Sequence, residues 1–249
     1  MVFCHNCGLP IHDSAHFCGI CGSTQPLHVM EAEGLPAYRT IGPYRLVAVV
    51  GSGSSGPVWL AYGPESGPLA VKALSPELRA VPDFLACIRQ EARALASLDH
   101  PNVVTLRDYL ETEEGAFVVM DFVEGSSLRT LERAVGVLAP EQALGVLVGV
   151  LSALGYAHGL GLVHGDVKPD NVLLDARGTS KLVDFGQVAQ AGAGTAWGRT
   201  PAYMSPEAAR GGPVDQRADL YGAGVMLYEA LAGNLPFGAI TTLLFCVCT

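Results

Sequence analysis

The chain has 249 residues, a formal net charge of −9 and a hydrophobic fraction of 49%. Such an apolar composition can form a sizeable folded core, so disorder is not the default expectation. The negative charge argues against a nucleic-acid-binding surface, because such surfaces need clustered lysine and arginine.

The N-terminus lacks the basic region and apolar core of a signal peptide, so we expect a cytoplasmic protein.

Two Cys-x-x-Cys pairs, each followed by glycine, contain four of the seven cysteines: Cys4, Cys7, Cys18 and Cys21. Four thiolates at this spacing suit tetrahedral Zn²⁺, and the repeat resembles a zinc ribbon. We predict a structural zinc site in residues 1–24. Stray cysteines or a redox pair are the alternative.

No lysine or arginine precedes Arg39, so we do not expect the ribbon to bind nucleic acid. A structural role and a protein partner both remain open. Residues 25–42 are interrupted by proline and glycine without clear periodicity, which predicts a linker.

A glycine-rich segment, Gly51-x-Gly53-x-x-Gly56, follows the β-forming residues 44–50. Glycines let backbone amides approach phosphate oxygens, because no Cβ stands in the way. The same pattern marks dinucleotide-binding folds, where it opens a helix. Here residues 58–62 predict another strand, so the segment is expected to be the tip of a hairpin.

Lys72 interrupts an apolar strand, residues 69–74, and shares one face of it with Ala70. A buried lysine must be paired with an acid. Glu91 falls within the apolar stripe of a predicted helix that contains Phe84, Ile88, Leu95 and Leu98. We therefore predict a Lys72–Glu91 ion pair, with a solvated helix edge as the alternative for Glu91.

Residues 140–160 are apolar nearly all round and predict a buried helix, and the apolar run within it is too short for a membrane span.

The next segment contains Asp166, Lys168 and Asn171 and ends in a predicted short strand, 172–174. These side chains supply a proton acceptor, a cation and an oxygen for a metal. Phosphoryl transfer requires that set.

Together these motifs resemble a eukaryotic-type serine/threonine protein kinase, similar to the bacterial members. The family's His-Arg-Asp-x-x-x-x-Asn loop is matched from His164 to Asn171, with Gly165 in place of arginine. Asp184 begins an Asp-Phe-Gly motif, and residues 199–207 resemble the peptide-binding segment. The helix predicted over 215–233 contains Asp219, which the family uses to brace the catalytic loop.

The resemblance implies an α+β, bilobal fold: a small β-rich N-lobe (43–123) and a helical C-lobe (124–249), preceded by the ribbon. It extends over about residues 43–238, so the C-lobe is expected to be incomplete at the C-terminus. An inactive truncated kinase or a zinc-ribbon scaffold, neither of them catalytic, is therefore the alternative to an ATP-dependent kinase.

The same resemblance implies the roles of the site residues. Asp166, Lys168, Lys72 and Glu91 are expected to be catalytic, and Asn171 and Asp184 to hold Mg²⁺ or Mn²⁺. ATP is expected to contact eleven residues: Gly51, Ser52, Gly53, Gly56, Val58, Ala70, Lys72, Met120, Asp121, Val123 and Leu173. For Met120 to Val123, a plain strand end is the alternative to an adenine-binding hinge. The protein substrate would present Ser or Thr.

Overall fold

The computed structural model describes residues 2–3, 10–11, 39–53, 56–64, 67–74, 85, 98–184 and 200–237. The described chain divides into two compact units. The N-terminal unit contains the described residues from 39 to 123 except 100–103, and the C-terminal unit contains 100–103 and the described residues from 124 onward.

Two short strands lie near the start of the chain: β1 (Val2–Phe3) pairs antiparallel with β2 (Pro10–Ile11). The four cysteines of the predicted zinc ribbon lie outside the described residues. The ribbon therefore stays a prediction.

The N-terminal unit is a six-stranded antiparallel sheet in the order β3-β4-β5-β6-β8-β7. Its strands are β3 (Thr40–Ile41), β4 (Tyr44–Gly53), β5 (Gly56–Tyr62), β6 (Pro68–Ala73), β7 (Leu106–Thr112) and β8 (Gly115–Asp121). One face of the sheet is covered by a core that includes Leu46, Val71, Phe117 and Val119. Consecutive residues of the central strands β6 and β8 are buried, so these two strands are covered on both faces along part of their length.

The C-terminal unit contains a small antiparallel sheet in the order β11-β10-β9 and four helices among its described residues. The strands are β9 (Gly125–Ser127), β10 (Val172–Asp175) and β11 (Ser180–Leu182). The helices are α1 (Leu128–Val135), α2 (Pro140–Gly159), α3 (Pro206–Ala209) and α4 (Gln216–Ala232). Single 3-10 turns lie at Pro169–Asn171 and Pro201–Tyr203.

Helix α4 begins and ends where its sequence indicates. The Asp215 carboxylate accepts a hydrogen bond from the Arg217 amide, which caps the first turn. Gly233, in the left-handed conformation with φ of 72°, ends the helix. The prediction of a helix over 215–233 is confirmed.

Helix α2 departs from its prediction on one face. Its buried residues, among them Val146, Val150 and Leu154, recur every three or four positions, and the helix contacts α4 and β11. Leu144 and Val148 are 50% and 66% exposed. The expectation of burial on nearly all sides was wrong, because an apolar sequence without periodicity does not reveal which side packs.

By length and composition alone, α2 is the one helix of the described residues that could cross a membrane, with a mean hydropathy of 1.3, so the expectation that its apolar run is too short for a span does not hold for the whole helix. Core helices of globular proteins commonly pass the same test.

Candidate active site

The loop between α2 and β10 is anchored by a buried carboxylate. Asp219 of α4 has a fully buried side chain. Its Oδ1 accepts a hydrogen bond of 2.7 Å from the Gly165 amide, and its Oδ2 accepts one of 2.8 Å from the His164 amide. His158 makes a third bond, of 2.8 Å, to Oδ2. Asp219 therefore braces the loop backbone, as the family resemblance implied.

Two glycines shape the same loop. Gly165 has φ of 77°, a left-handed conformation that is strained for residues with a Cβ. Gly222 lies where α4 meets the loop: a Cβ there would stand 3.0 Å from the carbonyl oxygen of Val167. The missing side chain lets the helix backbone reach the loop directly.

His164 occupies a structural position. Its Nε2 lies 2.8 Å from the Val183 carbonyl oxygen, and its Nδ1 accepts a bond of 3.2 Å from the Asp166 amide. An imidazole with both nitrogens engaged in this way fixes the loop backbone. These contacts give His164 a structural place in the loop.

Asp166 is the centre of the loop, and its side chain is only 2% exposed. Lys168 Nζ lies 2.5 Å from its Oδ2, and Asn171 Nδ2 lies 3.2 Å from the same oxygen. The Thr200 amide donates to Oδ1 at 3.1 Å. Both oxygens are therefore held in a fixed orientation, as a group that positions a substrate hydroxyl requires.

Thr200 is a residue whose role the sequence did not reveal. Its hydroxyl accepts a bond of 2.7 Å from Lys168 Nζ, while its amide binds Asp166. The lysine thus bridges an acid in its own loop and a hydroxyl 32 positions away. A signal existed in the Thr-Pro that opens the 3-10 turn at Pro201–Tyr203, but spacing alone could not assign the contact.

Asn171 presents an oxygen suited to a cation. Its Nδ2 donates to the Asp166 carbonyl oxygen at 2.8 Å as well as to the carboxylate, which leaves Oδ1 for a cation. The Asn171 carbonyl accepts from the Val183 amide, so Asp184 follows directly after the residue bonded to Asn171. Hard oxygen donors of this kind fit Mg²⁺.

Asp184 is the one described residue other than glycine with positive φ, at 65°. Such backbone conformations concentrate at functional sites. No group of three or more His, Cys, Asp or Glu side chains in the described ranges could hold a metal. A magnesium ion here would therefore be bound by the Asn171 amide oxygen, the Asp184 carboxylate and phosphate oxygens.

In the N-terminal unit, the glycine-rich segment is the end of a hairpin, as predicted. β4 and β5 pair up to Gly53 and Gly56, with two register shifts along the ladder and Gly51 opposite Val58. Gly56 has φ of 128°, which only glycine adopts readily. A Cβ at Gly51 would meet nothing within 4 Å, so the backbone there is open to an approaching group.

Four predicted nucleotide-binding side chains share one face of this sheet. Val58 pairs with Lys72, and Ala70 pairs with Met120 across the next strand boundary. Residues directly opposite in an antiparallel pair, and residues two apart in a strand, point to the same side. Glu91 lies outside the described residues, so the Lys72–Glu91 pair stays a prediction.

The strand β8 ends at Asp121, and the chain then leaves the sheet. The Asp121 amide donates to the Thr105 carbonyl, and the Phe122 amide donates to the Pro68 carbonyl. The Asp121 carboxylate is engaged by Arg107 through two bonds of 2.5 and 2.9 Å. These bonds fix the strand end where the hinge was predicted.

A second cluster of charges lies within the C-terminal unit, around Arg129 of α1. Its guanidinium binds Glu132 at 2.9 Å and Glu229 at 2.7 Å through the same nitrogen, Nη1. It also reaches Asp170 at 3.3 Å and donates to the Tyr203 hydroxyl, which in turn donates to Glu229. One arginine therefore joins α1, α4 and both 3-10 turns.

The cluster has three carboxylates for one guanidinium, and this excess affects proton binding. Burial, with the charges of Glu229 and Asp170 adding to it and Arg129 opposing it, raises the pKa of Glu132 to about 7. Its Oε1 is buried and has no hydrogen-bond partner among the described residues. Burial and the bond to Glu229 likewise raise the pKa of Tyr203.

We expect Glu132→Gln to stabilise the protein in a pH-dependent way. A pKa raised in the folded state gives stability that is fully present below the unfolded pKa near 4.5 and is lost as pH rises through about 7. Glutamine mimics the proton-bound form. Its advantage should be negligible near pH 4.5 and reach roughly 1–3 kcal/mol above pH 7.5.

Denaturant titrations of the parent and the variant from pH 5 to pH 8 measure this difference. Glu141→Gln, at an exposed position in the first turn of α2, is the control and should give a difference independent of pH. A Glu132→Gln advantage that stays constant across the series would contradict the expectation.

The chain is similar to known protein kinases over most of its length. The sequence profile described as "Protein kinase domain" matches residues 44–244. A probable serine/threonine-protein kinase of Streptomyces coelicolor is 40% identical over 211 residues, which are 80% of this chain and 31% of that protein. Serine/threonine-protein kinase PrkC of Bacillus subtilis is 36% identical over 206 residues, 80% of this chain and 32% of its own length.

Serine/threonine-protein kinase PkaB of Streptomyces coelicolor is 40% identical over 214 residues, again 80% of this chain and 51% of its own. The chain thus spans between about a third and a half of the length of these curated relatives.

Proposed function

The chain belongs to the protein kinase family, and on that basis we propose that it transfers the γ-phosphoryl group of ATP to serine or threonine hydroxyls of proteins. The observation that carries the proposal is the arrangement of Lys168 and Thr200 around the buried carboxylate of Asp166. The proposed chain organisation is a ribbon (1–24), a linker (25–42) and a kinase domain (43–249).

Asp166 would accept or orient the proton of the substrate hydroxyl. Its two oxygens are held by the loop and by Thr200, so little reorganisation is needed when the hydroxyl arrives. Lys168 would place its positive charge beside the transferring group, where charge is spread over the equatorial oxygens. Positioning and charge neutralisation account for most catalysis of this reaction.

The cation would be held by Asn171 Oδ1 and the Asp184 carboxylate, both of which are oxygen donors. When bound, Mg²⁺ or Mn²⁺ would neutralise charge on the phosphates. Asn171 also fixes the Asp166 backbone by its bond of 2.8 Å. The Asn171 side chain would therefore bind the cation through Oδ1 and hold the Asp166 backbone through Nδ2.

The nucleotide itself would be bound by backbone and side chains that the resemblance identifies. In the N-terminal unit these are the glycine-rich hairpin, Lys72 with its predicted partner Glu91, the face formed by Val58, Ala70 and Met120, and the hinge residues Asp121 and Val123. In the C-terminal unit Leu173, on β10, would contact the adenine. The shared sheet face of Val58, Ala70, Lys72 and Met120 supports this assignment.

The direct test is transfer of labelled phosphate from γ-labelled ATP to a generic protein acceptor. We expect label on serine and threonine when the modified residues are identified. Label found only on tyrosine, or no transfer with a correctly folded protein, would contradict the proposal.

Binding of ATP can be measured separately. MgATP at about ten times its dissociation constant should raise the melting temperature by about 3–6 °C. Lys72→Ala should abolish most of this shift, because the phosphates lose their cation. Lys181→Ala is the control, since Lys181 is bound to the Pro101 carbonyl oxygen, and its shift should equal that of the parent.

A parent that shows no shift would favour the alternative, a non-catalytic scaffold.

The proposed structural Zn²⁺ of Cys4, Cys7, Cys18 and Cys21 is tested by metal analysis of the purified chain, where absence of zinc would exclude it. The ribbon would be structural or would dock a protein partner. ATP as the donor and thiolates that need a reducing compartment both favour a cytoplasmic location, which we also propose.

A further inference from the structure

The end of strand β8, where the proposed adenine-binding backbone begins, is held by an arginine of the edge strand β7. Arg107 donates from Nε and Nη2 to the two carboxylate oxygens of Asp121 at 2.5 and 2.9 Å. The Asp121 amide donates to the Thr105 carbonyl at 3.0 Å. All three residues belong to the N-terminal unit. Asp121 is therefore held through its side chain and its backbone by the segment of residues 105–107.

A bulge in β7 gives this arginine its place. Two successive residues of β8 pair with Leu106 and Asp108, so Arg107 is an extra residue between them. Bulges redirect a side chain out of the regular ladder, and they concentrate at sheet edges and next to active sites. In this sheet the guanidinium reaches Asp121, the last residue of β8. The contact therefore depends on the irregularity of the ladder as well as on the two charges.

We propose that Arg107 is a positioning residue that gives the nucleotide site its preference for adenine over guanine, because it fixes the backbone of Asp121. This inference rests on the proposed function, in which the hinge at Asp121 and Val123 binds the base. Adenine presents an amino group where guanine presents a carbonyl oxygen. A backbone carbonyl accepts a hydrogen bond from the amino group and repels the oxygen. Discrimination between the two bases therefore requires a carbonyl whose orientation is fixed.

The orientation of the Asp121 carbonyl depends on restraints from both neighbouring strands. This carbonyl belongs to the same planar peptide group as the Phe122 amide. The Phe122 amide donates to the Pro68 carbonyl, on the β6 side, at 3.3 Å, which is longer than the usual distance of about 2.9–3.0 Å. That bond restrains the peptide group only weakly, so the contacts on the β7 side must supply the rest.

The two-point form of the Arg107 contact suits this task. A guanidinium that binds both carboxylate oxygens defines the orientation of the carboxylate as well as its distance. A single bond would let the Asp121 side chain turn about the bonded oxygen. The arginine therefore restrains the residue that carries the carbonyl and does so without touching the nucleotide.

The test measures transfer of labelled phosphate from ATP and from GTP by the full chain and by Arg107→Met. The Arg107 and Asp121 side chains are 41% and 39% exposed, and ion pairs of such exposure shift an equilibrium by at most about fivefold. We therefore expect the KM for ATP to rise about three- to fivefold, with kcat within about twofold of the parent. The ratio of kcat/KM for ATP to kcat/KM for GTP should fall about threefold.

A double-mutant cycle tests whether the arginine acts through Asp121. Asp121→Ala should change the KM for ATP as Arg107→Met does, and the double variant should be no worse than either single variant. Arg39→Met is the control, because Arg39 donates from Nε and Nη2 to Glu114 in the same unit. It should keep the parent's KM and base preference. Single effects that multiply in the double variant, or an equal loss of base preference in Arg39→Met, would overturn the proposal.

Amide hydrogen exchange tests the restraint without kinase activity. A peptide spanning 118–124 should exchange about three- to fivefold faster in Arg107→Met and at the parent rate in Arg39→Met. Unchanged exchange in Arg107→Met would also overturn the proposal. If the parent transfers no phosphate, the proposed function fails and the base preference fails with it, whereas the exchange measurement still decides whether Arg107 restrains the end of β8.

Discussion

Asp166→Asn should lower the rate of phosphate transfer by about 10³-fold while the protein stays folded and still binds ATP. General-base and orienting groups typically contribute 10²- to 10⁴-fold. Asparagine keeps the shape of the side chain but places an uncharged amide beside Lys168 Nζ, which now lies 2.5 Å from Oδ2. The substrate hydroxyl then loses its proton acceptor, and Lys168 loses its ionic partner while keeping the bond to the Thr200 hydroxyl.

The measurement is the rate of label transfer to a protein acceptor, with the thermal shift by MgATP recorded on the same samples. Asp175→Asn is the matched control. Asp175 accepts amide bonds from Arg177 and Thr179 in a turn, which asparagine can also accept. We expect the control to transfer within about twofold of the parent rate. Equal activity of Asp166→Asn and the control would rule out the role given to Asp166.

Arg129→Met should cost about 3–5 kcal/mol in the free energy of unfolding. Removing one partner of a buried ionic group leaves the others uncompensated, and losses of that size are typical. Here Glu132 and Glu229, with side chains 6% and 13% exposed, would face each other without a cation. The Tyr203 hydroxyl would also lose a donor and the cation over its ring.

Denaturant unfolding at pH 7.5 measures the loss. Arg39→Met is the control, because Arg39 pairs with Glu114 in a bond whose partners are 53% and 52% exposed. Exposed pairs of this kind are worth at most about 1 kcal/mol. An Arg129→Met variant no less stable than Arg39→Met would show that the cluster does not act as a buried ionic unit.

Local sequence patterns predicted the elements that carry their own signal. The hairpin of β4 and β5 followed from strand-forming residues on both sides of the glycines, where a dinucleotide-binding loop would have opened a helix. The strand β10 followed from the apolar run after Asn171. Helix α4 followed from an apolar stretch bounded by Asp215 and Gly233. In each case the residues that determine the element are neighbours in the chain.

Contacts between distant segments could not be predicted in this way. Nothing about Arg129 indicates that it binds Glu229, 100 positions away, because an arginine in a short helix is usually solvated. The contact of Thr200 with Lys168 likewise depends on how two loops are brought together. Helix α1 was missed for a related reason: eight residues of mixed polarity carry little periodic signal.

The side chain that Gly222 lacks has a consequence for which changes the protein tolerates. A Cβ at this position would lie 3.0 Å from the Val167 carbonyl oxygen and 3.6 Å from the Tyr203 carbonyl oxygen. A methyl group added there would displace α4 from the segments of both Val167 and Tyr203. In a random mutagenesis screen, inactive clones should therefore include Gly222→Ala, although no reactant touches this position. Adding atoms to the side chain would then abolish activity as effectively as removing them does elsewhere.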